Sequence, residues 1–343
     1  MRKFIEKVEN NEHLLFDEME TVSKDLFNEQ TESGHIADFL VALSKKGETA
    51  HEVAALASVM KSYAVPMNAP KGVYMDNCGT GGDGVNTFNI STTTAFVLAG
   101  AGVSIAKHGN RKVSSAAGSS DVLEELGIPL DYSPEEALDL LGREGIAFLF
   151  APSVHPRLKR IGVIRKQIGK PTIFNLVGPL TNPVPLNSQF TGINRPDFIM
   201  EYAAVLRMLG RKRAIVVSGA GGMDEASLAG QNSFVLLDKG DLIPFALTAE
   251  DVGLDYAPLS AIRGGSVKEN AVILKAILRG QRGPHFDTVV FNAGIGLFAS
   301  GHAVTIQEGV EMAKDSILSG RAMQKLEAVV ESGQQMRQKA VAK

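Results

Sequence analysis

The chain has 343 residues, a length that favours two domains over one. Its net charge of −3 provides no basic surface for nucleic acid or an acidic membrane, and no apolar run is long enough to cross a bilayer. Its one cysteine, Cys78, excludes an intramolecular disulfide and a multi-cysteine metal site. The N-terminus lacks the apolar core of a signal peptide. We therefore expect a cytoplasmic protein without nucleic-acid or membrane partners.

The first 65 residues carry helical patterns only. Phe4, Ile5 and Val8 share one helical face. The run Thr49–Glu52 has the spacing of a capping box, which predicts a helix that ends near Tyr63, before two prolines. We expect a small all-helical domain over residues 1–69.

From residue 70 to residue 343, short apolar runs alternate with helical segments, which predicts a larger α/β domain with a mostly parallel central sheet. Ser133 begins one of the helices, with proline at the first helical position, and the last helices run from about Thr305 to Lys343. Residues 234–245 have the pattern of an antiparallel hairpin. The other candidate strands are Val73–Met75, Val103–Ala106, Ile146–Phe150, Ala214–Val217 and Thr288–Phe291.

A glycine-rich loop, Asp76–Gly84, follows the first candidate strand. Its glycines allow the backbone to approach a ligand closely, so that N–H groups point at phosphate oxygens. The run Asn89–Thr92 then begins a helix, whose N-terminus also favours an anion. The alternative is a glycine turn without a ligand. The loop is neither a P-loop nor a dinucleotide fingerprint, because the spacing fails for both.

A second polar loop, Lys107–Ser115, follows the next candidate strand. It supplies three cations, an amide and two hydroxyls, which suit a phosphate, although a solvated basic turn is the alternative. Ligands of open α/β sheets bind at the carboxyl ends of strands, where both loops are expected to emerge. The run Gly118–Asp121 caps the following helix, and its hydroxyls either cap or bind.

Two adjacent acids, Asp224 and Glu225, lie on a glycine loop after another candidate strand. Neighbouring carboxylates repel each other unless a cation lies between them, and Mg²⁺ is usually bound by one or two carboxylates plus substrate phosphates. The alternative is a pair of solvent-facing acids at a helix start.

A basic helix, His155–Lys166, follows the strand at Ile146–Phe150. An arginine on it has the geometry to bind a carboxylate through two hydrogen bonds, while a solvated surface charge is the alternative for each cation. His155 by itself is more typical of a structural residue. Cys78 has no neighbouring base that would activate it as a nucleophile.

Taken together, these loops resemble those of the anthranilate phosphoribosyltransferases. The resemblance covers nearly the whole chain in order and spacing, with no departure at the motif positions. The matching motifs are Gly79–Asp83, Lys107–Arg111, Gly118–Asp121, Phe174–Asn175 with Gly178–Pro183, and Met223–Glu225.

The resemblance implies a homodimer formed through the helical domain, to which the helix around 155–168 would belong, and transfer of a phosphoribosyl group from phosphoribosyl pyrophosphate (PRPP) to anthranilate in tryptophan synthesis. It implies Mg²⁺ at Ser91, Asp224 and Glu225, and anthranilate at Gly79, Asn110 and Arg165. The residues implied for PRPP are Gly79, Gly82, Asp83, Thr87, Asn89, Ile90, Ser91, Thr92, Lys107, His108, Gly109, Asn110, Arg111, Lys112, Val113, Ser114, Ser115 and Ser119.

Two alternatives differ in class. A pyrimidine nucleoside phosphorylase shares the fold and the glycine loop, but it uses a single phosphate, so the Asp224–Glu225 pair would have no clear task. A non-catalytic relative that binds nucleic acid would need a basic surface and a broken metal motif, and the sequence has neither. The chemistry agrees with transfer, since positioning and leaving-group stabilisation suffice when the attacking amine is already neutral.

Overall fold

In the computed structural model, residues 1–111 and 118–341 are described, with side chains up to residue 338. Four of the predicted PRPP residues, Lys112, Val113, Ser114 and Ser115, lie outside the described residues. Within the described part, no helix is both long and apolar enough to cross a membrane. The chain begins with four helices, as predicted: α1 (Arg2–Glu9), α2 (Phe16–Leu26), α3 (Ser33–Lys46) and α4 (Ala50–Ser62).

The start of α4 follows from its capping box. The Thr49 hydroxyl accepts a hydrogen bond from the Glu52 N–H, and the Glu52 carboxylate accepts one from the Thr49 N–H at 2.8 Å. Glu52 is fully buried, and its carboxylate also accepts from Lys46 Nζ at 3.0 Å and from the Leu14 N–H at 2.9 Å. One side chain therefore joins three segments of the helical part.

A single seven-stranded sheet forms the centre of the larger part, in the order β3-β2-β1-β4-β5-β6-β7. The first five strands of that order are mutually parallel, and β6 and β7 form the predicted antiparallel hairpin at one edge. The strands are β1 (Tyr74–Asp76), β2 (Ser104–Gly109), β3 (Ile146–Phe150), β4 (Ser188–Gly192), β5 (Arg213–Ser218), β6 (Asn232–Asp238) and β7 (Asp241–Leu247).

Helices occupy most of the remaining chain. The helix predicted from Ser133 begins as expected, with Pro134 at its first position and the Ser133 hydroxyl accepting from the Glu136 N–H. The helices are α5 (Ile90–Gly100), α6 (Ser119–Glu125), α7 (Pro134–Glu144), α8 (Ala151–Val154), α9 (Leu158–Ile168), α10 (Phe174–Val177), α11 (Ile199–Met208), α12 (Val267–Leu278), α13 (Pro284–Ser300), α14 (Ile306–Leu318) and α15 (Arg321–Val341).

Two strand predictions need correction. The predicted strand Thr288–Phe291 is wrong, because these residues lie inside α13, a helix buried on nearly all sides. An apolar run of that kind does not distinguish a buried helix from a buried strand. Strand β4 was not predicted, because Ser188 and Gln189 are polar; both are nevertheless buried, and the Gln189 side chain accepts from Arg211 Nε at 3.0 Å.

Side chains pack on both faces of the sheet in two apolar clusters. Along β5, Ile215 and Val217 point into one cluster, with α5–α7 and α12–α15, while Ala214 and Val216 point into the other. The second cluster combines α1–α4 with α11 and with Ile161 of α9. The sheet is therefore covered on both faces, as a parallel sheet requires.

Candidate active site

The strand order reverses direction between β1 and β4, and polar loops emerge at the carboxyl ends of the strands around this point. The glycine-rich loop follows β1, Asn194 follows β4, and Asp224 follows β5. In open α/β sheets such a switch point is the usual ligand-binding crevice. The topology therefore brings together loops that are more than 100 residues apart in sequence.

The Asp224 side chain is hydrogen-bonded to the backbone of the glycine-rich loop. Its Oδ2 accepts a hydrogen bond of 2.6 Å from the Gly81 N–H, and an added Cβ at Gly79 would overlap that same oxygen. Gly81 and Gly82 have φ angles of +71° and +84°, a conformation that side chains disfavour. The Gly82 carbonyl accepts from Asn194 Nδ2 at 2.9 Å. The glycine loop is thus in direct contact with the acidic pair.

The acidic pair is largely withdrawn from solvent, with Asp224 buried and Glu225 half-buried. Burial, together with the nearby carboxylate of Asp83, raises the pKa of Asp224 to about 7. Burial and the charge of Asp224 raise the pKa of Glu225 well above its ordinary value, against the opposing effects of Lys107 and a hydrogen bond with the Ser91 side chain. Carboxylates crowded in this way are stabilised when a cation neutralises them.

Lys107 is buried beneath the glycine loop. Its Nζ donates to the Asn77 carbonyl at 2.8 Å, and the Asn77 side chain donates to the Ser91 carbonyl at 2.7 Å. Lys107 also lies close enough to Glu225 to lower the pKa of that acid. The ammonium group thus connects β2, through Asn77, with the end of β1 and the start of α5.

His108 and His155 form a buried pair, with ring centroids 5.2 Å apart. His108 Nδ1 lies 3.1 Å from the Gly178 carbonyl oxygen, so the neutral ring carries its proton on Nδ1 and presents Nε2 as an acceptor. Burial lowers the pKa of His108 to about 3 and that of His155 to about 4. Both rings are therefore uncharged at neutral pH, and the Nε2 atom of each is buried without a hydrogen-bond partner among the described residues.

Asn110 and Arg111, in the described part of the second polar loop, lie in different environments. The Asn110 carbonyl accepts from the Ser119 hydroxyl at 3.1 Å, so these two residues, selected from separate motifs, are neighbours. Arg111 instead pairs with Glu124 at 2.5 Å and Asp121 at 3.2 Å. The Arg111 guanidinium is thus paired with acids of α6 and not with the glycine-rich loop.

A segment that was not predicted supports the residues leading into α5. Thr87 forms a bridge with Arg263, and the Asn89 side chain accepts from Asn270 Nδ2 at 2.9 Å. Asn270 is buried and also accepts from the Gly265 N–H at 2.8 Å. Ile90 and Thr92 are buried at the start of the helix, and the Thr92 hydroxyl has no partner among the described residues.

Arg165 lies on α9, half-buried. Its Nη2 donates to Asn175 Oδ1 at 2.9 Å, and its Nε is buried without a partner in the described part of the chain. Burial lowers the pKa of Arg165. Asn175 is followed closely by Gly178, which contacts His108, so Arg165 is linked to the second polar loop through one short segment.

Two further observations concern Cys78 as a nucleophile and the ligands available to a metal ion. Burial raises the pKa of the Cys78 thiol to about 12 despite the proximity of Lys107, so the thiol is inert at neutral pH. Among residues 1–111 and 118–341, no group of three or more His, Cys, Asp or Glu side chains has the arrangement of a metal site. A cation at Asp224 and Glu225 would therefore take its remaining ligands from hydroxyls, water or substrate.

Sequence reasoning missed Asn194 and Gly192 as site residues. The Gly192 carbonyl accepts from the Thr80 N–H at 2.9 Å, and a Cβ at Gly192 would overlap the Asp224 backbone. Recognition of β4 as a strand would have identified both, because they lie at its carboxyl end. Asn270 had no local signal, since its role depends on a contact 181 residues away in sequence.

Comparison with known protein families identifies the class of protein to which the chain belongs. The α/β domain of a glycosyl transferase family matches residues 71–323, and the helical bundle domain of that family matches residues 2–64. The chain therefore has the fold of a glycosyl transferase family that combines a helical bundle with an α/β domain.

Individual relatives narrow the class. An anthranilate phosphoribosyltransferase of Exiguobacterium sibiricum is 56% identical over 335 residues, covering 98% of this chain and 99% of that protein. The structure of the enzyme of that name from Thermus thermophilus has a TM-score of 0.91 at 39% identity, covering 96% and 99% of the two chains. That from Saccharomyces cerevisiae, in complex with PRPP and Mg, has a TM-score of 0.85 at 29% identity, covering 93% and 92%. A second structure of the yeast enzyme contains 4-fluoroanthranilate, with a TM-score of 0.83 at 29% identity and the same coverage.

The chain belongs to the anthranilate phosphoribosyltransferase family. The family confirms the predicted fold class and the predicted enzyme class. It also supports the transferase over the nucleoside phosphorylase alternative and over a non-catalytic relative.

Proposed function

We propose that this chain transfers the 5-phosphoribosyl group of PRPP to the amine of anthranilate, giving N-(5-phosphoribosyl)anthranilate and pyrophosphate. The main observation in support is the hydrogen bond at the switch point, which the Gly81 N–H donates to the buried carboxylate of Asp224, next to Glu225. A backbone loop open to phosphate oxygens and a carboxylate pair that favours a cation suit a metal-bound pyrophosphate group.

PRPP would bind between the glycine loop and the start of α5. Gly82 and Gly84, with positive φ, leave the loop backbone uncovered by side chains, and Asn89 is fixed by Asn270. The N-terminus of α5 adds a partial positive charge. We assign Lys107 to a buried electrostatic role, since its Nζ donates to Asn77. For Arg111 to contact a phosphate, it would have to leave Glu124.

The residues at the acidic pair fit Mg²⁺. Asp224 and Glu225 supply hard oxygen ligands, their pKa values are raised by burial and by neighbouring carboxylates, and Ser91 bonds to Glu225. We propose that these three residues bind the ion, with substrate oxygens completing its ligands. When bound, Mg²⁺ stabilises the negative charge that develops on departing pyrophosphate.

Anthranilate would bind on the side of Arg165, with Asn110 and Gly79 facing it. A guanidinium suits an aromatic carboxylate, and Arg165 is half-buried with an unpaired Nε. The reaction breaks the bond from C1 of ribose to pyrophosphate and forms a bond from C1 to the amine nitrogen, which then loses a proton. Neutral His108 and His155 and the inert Cys78 agree with a mechanism that relies on positioning, without a covalent intermediate.

We further propose the division into a helical domain, residues 1–69 completed by the helix around 155–168, and an α/β domain, residues 70–343. Packing supports the added helix: Ile161 shares the apolar cluster of α1–α4, and Arg160 donates to the Asn28 carbonyl at 2.8 Å. Val163, 57% exposed, provides apolar surface for a homodimer through this part. We also propose a cytoplasmic location, in agreement with the absence of a cysteine pair.

The test of this function is steady-state kinetics of Arg165→Ala against wild type, with each substrate varied separately. Loss of a charge-assisted contact corresponds to about 1.5–3 kcal/mol, so KM for anthranilate should rise about ten- to a hundredfold while KM for PRPP changes little. Equal damage to both KM values would assign Arg165 to the fold and would contradict the proposed substrate site.

A further inference from the structure

The Arg165 guanidinium has a neutral partner. In the part of the chain that the structure describes, Arg165 forms no ion pair, and its Nη2 donates to the amide oxygen of Asn175 at 2.9 Å. The Phe174 ring centroid lies 5.7 Å from the guanidinium carbon. A half-buried arginine without a carboxylate partner retains its full charge for a ligand.

Asn175 is itself fixed in place. Its Oδ1 accepts a second hydrogen bond, from the Thr172 N–H at 3.0 Å, which anchors the side chain to the turn before α10. The same short helix leads into Gly178, whose carbonyl accepts from His108 at 3.1 Å. The orientation of Arg165 is thus tied, through Asn175, to a segment that also contacts the second polar loop.

The amide of Asn175 suits its position between Arg165 and the Thr172 N–H better than a carboxylate or an apolar side chain would. A carboxylate in the same place would also accept from Thr172 and Arg165, but it would neutralise the guanidinium and compete with an acidic substrate. An apolar side chain would leave Arg165 free to adopt other rotamers and would leave the Thr172 N–H without its acceptor.

We propose that Asn175 is a positioning residue that orients the Arg165 guanidinium through an uncharged hydrogen bond, so that its positive charge is available to the carboxylate of the aromatic substrate. This inference rests on the proposed function, in which Arg165 binds that carboxylate. Asn175 acts through Arg165 and requires no contact with substrate.

The test compares Asn175→Asp and Asn175→Ala in steady-state kinetics. The aspartate has nearly the same shape and both acceptor bonds, and we expect it to raise KM for anthranilate about tenfold or more by competing for the guanidinium. The alanine should raise it by a smaller factor, about three- to tenfold, through lost orientation. KM for PRPP and kcat at saturating anthranilate should change by less than about threefold in both variants, a change worth under 1 kcal/mol.

A matched control is Asn187→Asp. The Asn187 Oδ1 accepts from the Tyr74 N–H at 3.1 Å, at the amino end of β1, so this variant measures the generic cost of replacing an amide acceptor with a carboxylate. Thermal unfolding of all variants separates a folding defect from a binding defect. If Asn175→Asp and Asn187→Asp had the same anthranilate KM, Asn175 would have no positioning role.

The Arg165→Ala background separates the positioning role of Asn175 from the role of Arg165 in binding substrate. If Asn175 acts through Arg165, adding Asn175→Asp to Arg165→Ala should raise the anthranilate KM no further. An equal rise in both backgrounds would overturn the positioning role while leaving the proposed function intact. If Arg165→Ala alone left the anthranilate KM unchanged, the proposed function would be at fault.

Discussion

Gly79 lies so close to Asp224 that adding one methyl group, in Gly79→Ala, tests the arrangement of the site. Gly79 has a backbone conformation that alanine adopts without strain, but a Cβ there would overlap Asp224 Oδ2 and lie 3.0 Å from the Asp224 carbonyl oxygen. The carboxylate must then move, and its 2.6 Å bond from the Gly81 N–H is lost or weakened. The substitution Gly79→Ala therefore displaces the acidic group without changing any charged residue.

The magnitude follows from two contributions. Overpacking in a closely packed position costs about 1–3 kcal/mol, and loss of a hydrogen bond to a carboxylate costs roughly 1.5–3 kcal/mol. The first should appear as a lower unfolding temperature, and the second as an affinity for Mg²⁺ and PRPP reduced by about ten- to a hundredfold. Titration calorimetry with PRPP in the presence of Mg²⁺ measures the affinity directly.

Two controls make the result specific. Gly142→Ala, on α7, adds a Cβ that meets no atom within 4 Å and should leave PRPP affinity unchanged. In an Asp224→Ala background the carboxylate is absent, so most of the stability cost of Gly79→Ala should disappear. Wild-type PRPP affinity in Gly79→Ala, or the same stability loss in both backgrounds, would refute the contact between the glycine loop and the acidic pair as the source of binding.

Three other predictions concern the metal, the helical part and pH. Excess chelator should abolish turnover, and Asp224→Asn with Glu225→Gln should reduce it to near background even at saturating Mg²⁺; full turnover under either condition excludes the metal role. Glu52→Ala should lower the free energy of unfolding in urea by about 3–5 kcal/mol, because the buried Lys46 ammonium loses its carboxylate and keeps only the Gly47 carbonyl and His13, which do not neutralise its charge; a loss below about 1 kcal/mol means that the ion pair is solvated. Burial lowers the pKa of His155 from 6.5 to about 4, so protonation of this ring favours the unfolded state, and its contribution to stability should fall by about 2 kcal/mol from pH 7 to pH 5; His155→Asn should therefore lose about that much less stability than wild type over this range, and identical pH profiles contradict the burial of this ring.

The positions of the site loops could be predicted from the sequence because glycine, acidic and basic residues concentrate at the ends of the strands. The capping boxes at Thr49 and Ser133 predicted helix starts that the structure confirms, since a capping box depends only on residues three apart. Long-range partners leave no such local trace. The polar strand β4 depends on Gln189 finding Arg211, and the direction of Arg111 depends on Glu124 of the following helix.

The same distinction applies within the candidate site. Asp224 and the glycine-rich loop were both selected from sequence, but the hydrogen bond from Gly81 of that loop to Asp224 spans 143 residues and required the topology of the sheet. Lys107 was selected as a cation for phosphate, whereas its buried Nζ donates to a backbone carbonyl. Residue type thus indicated which side chains belong to the site, and packing decided what each of them contacts.

The most direct test of the account is turnover by the purified chain with its proposed substrates. Anthranilate fluorescence should decay when PRPP and Mg²⁺ are both present, with one pyrophosphate released for each anthranilate consumed, and a pyrimidine nucleoside with inorganic phosphate should give no reaction. Consumption of the nucleoside with anthranilate untouched would contradict the account, as would a folded protein that binds PRPP and consumes neither substrate.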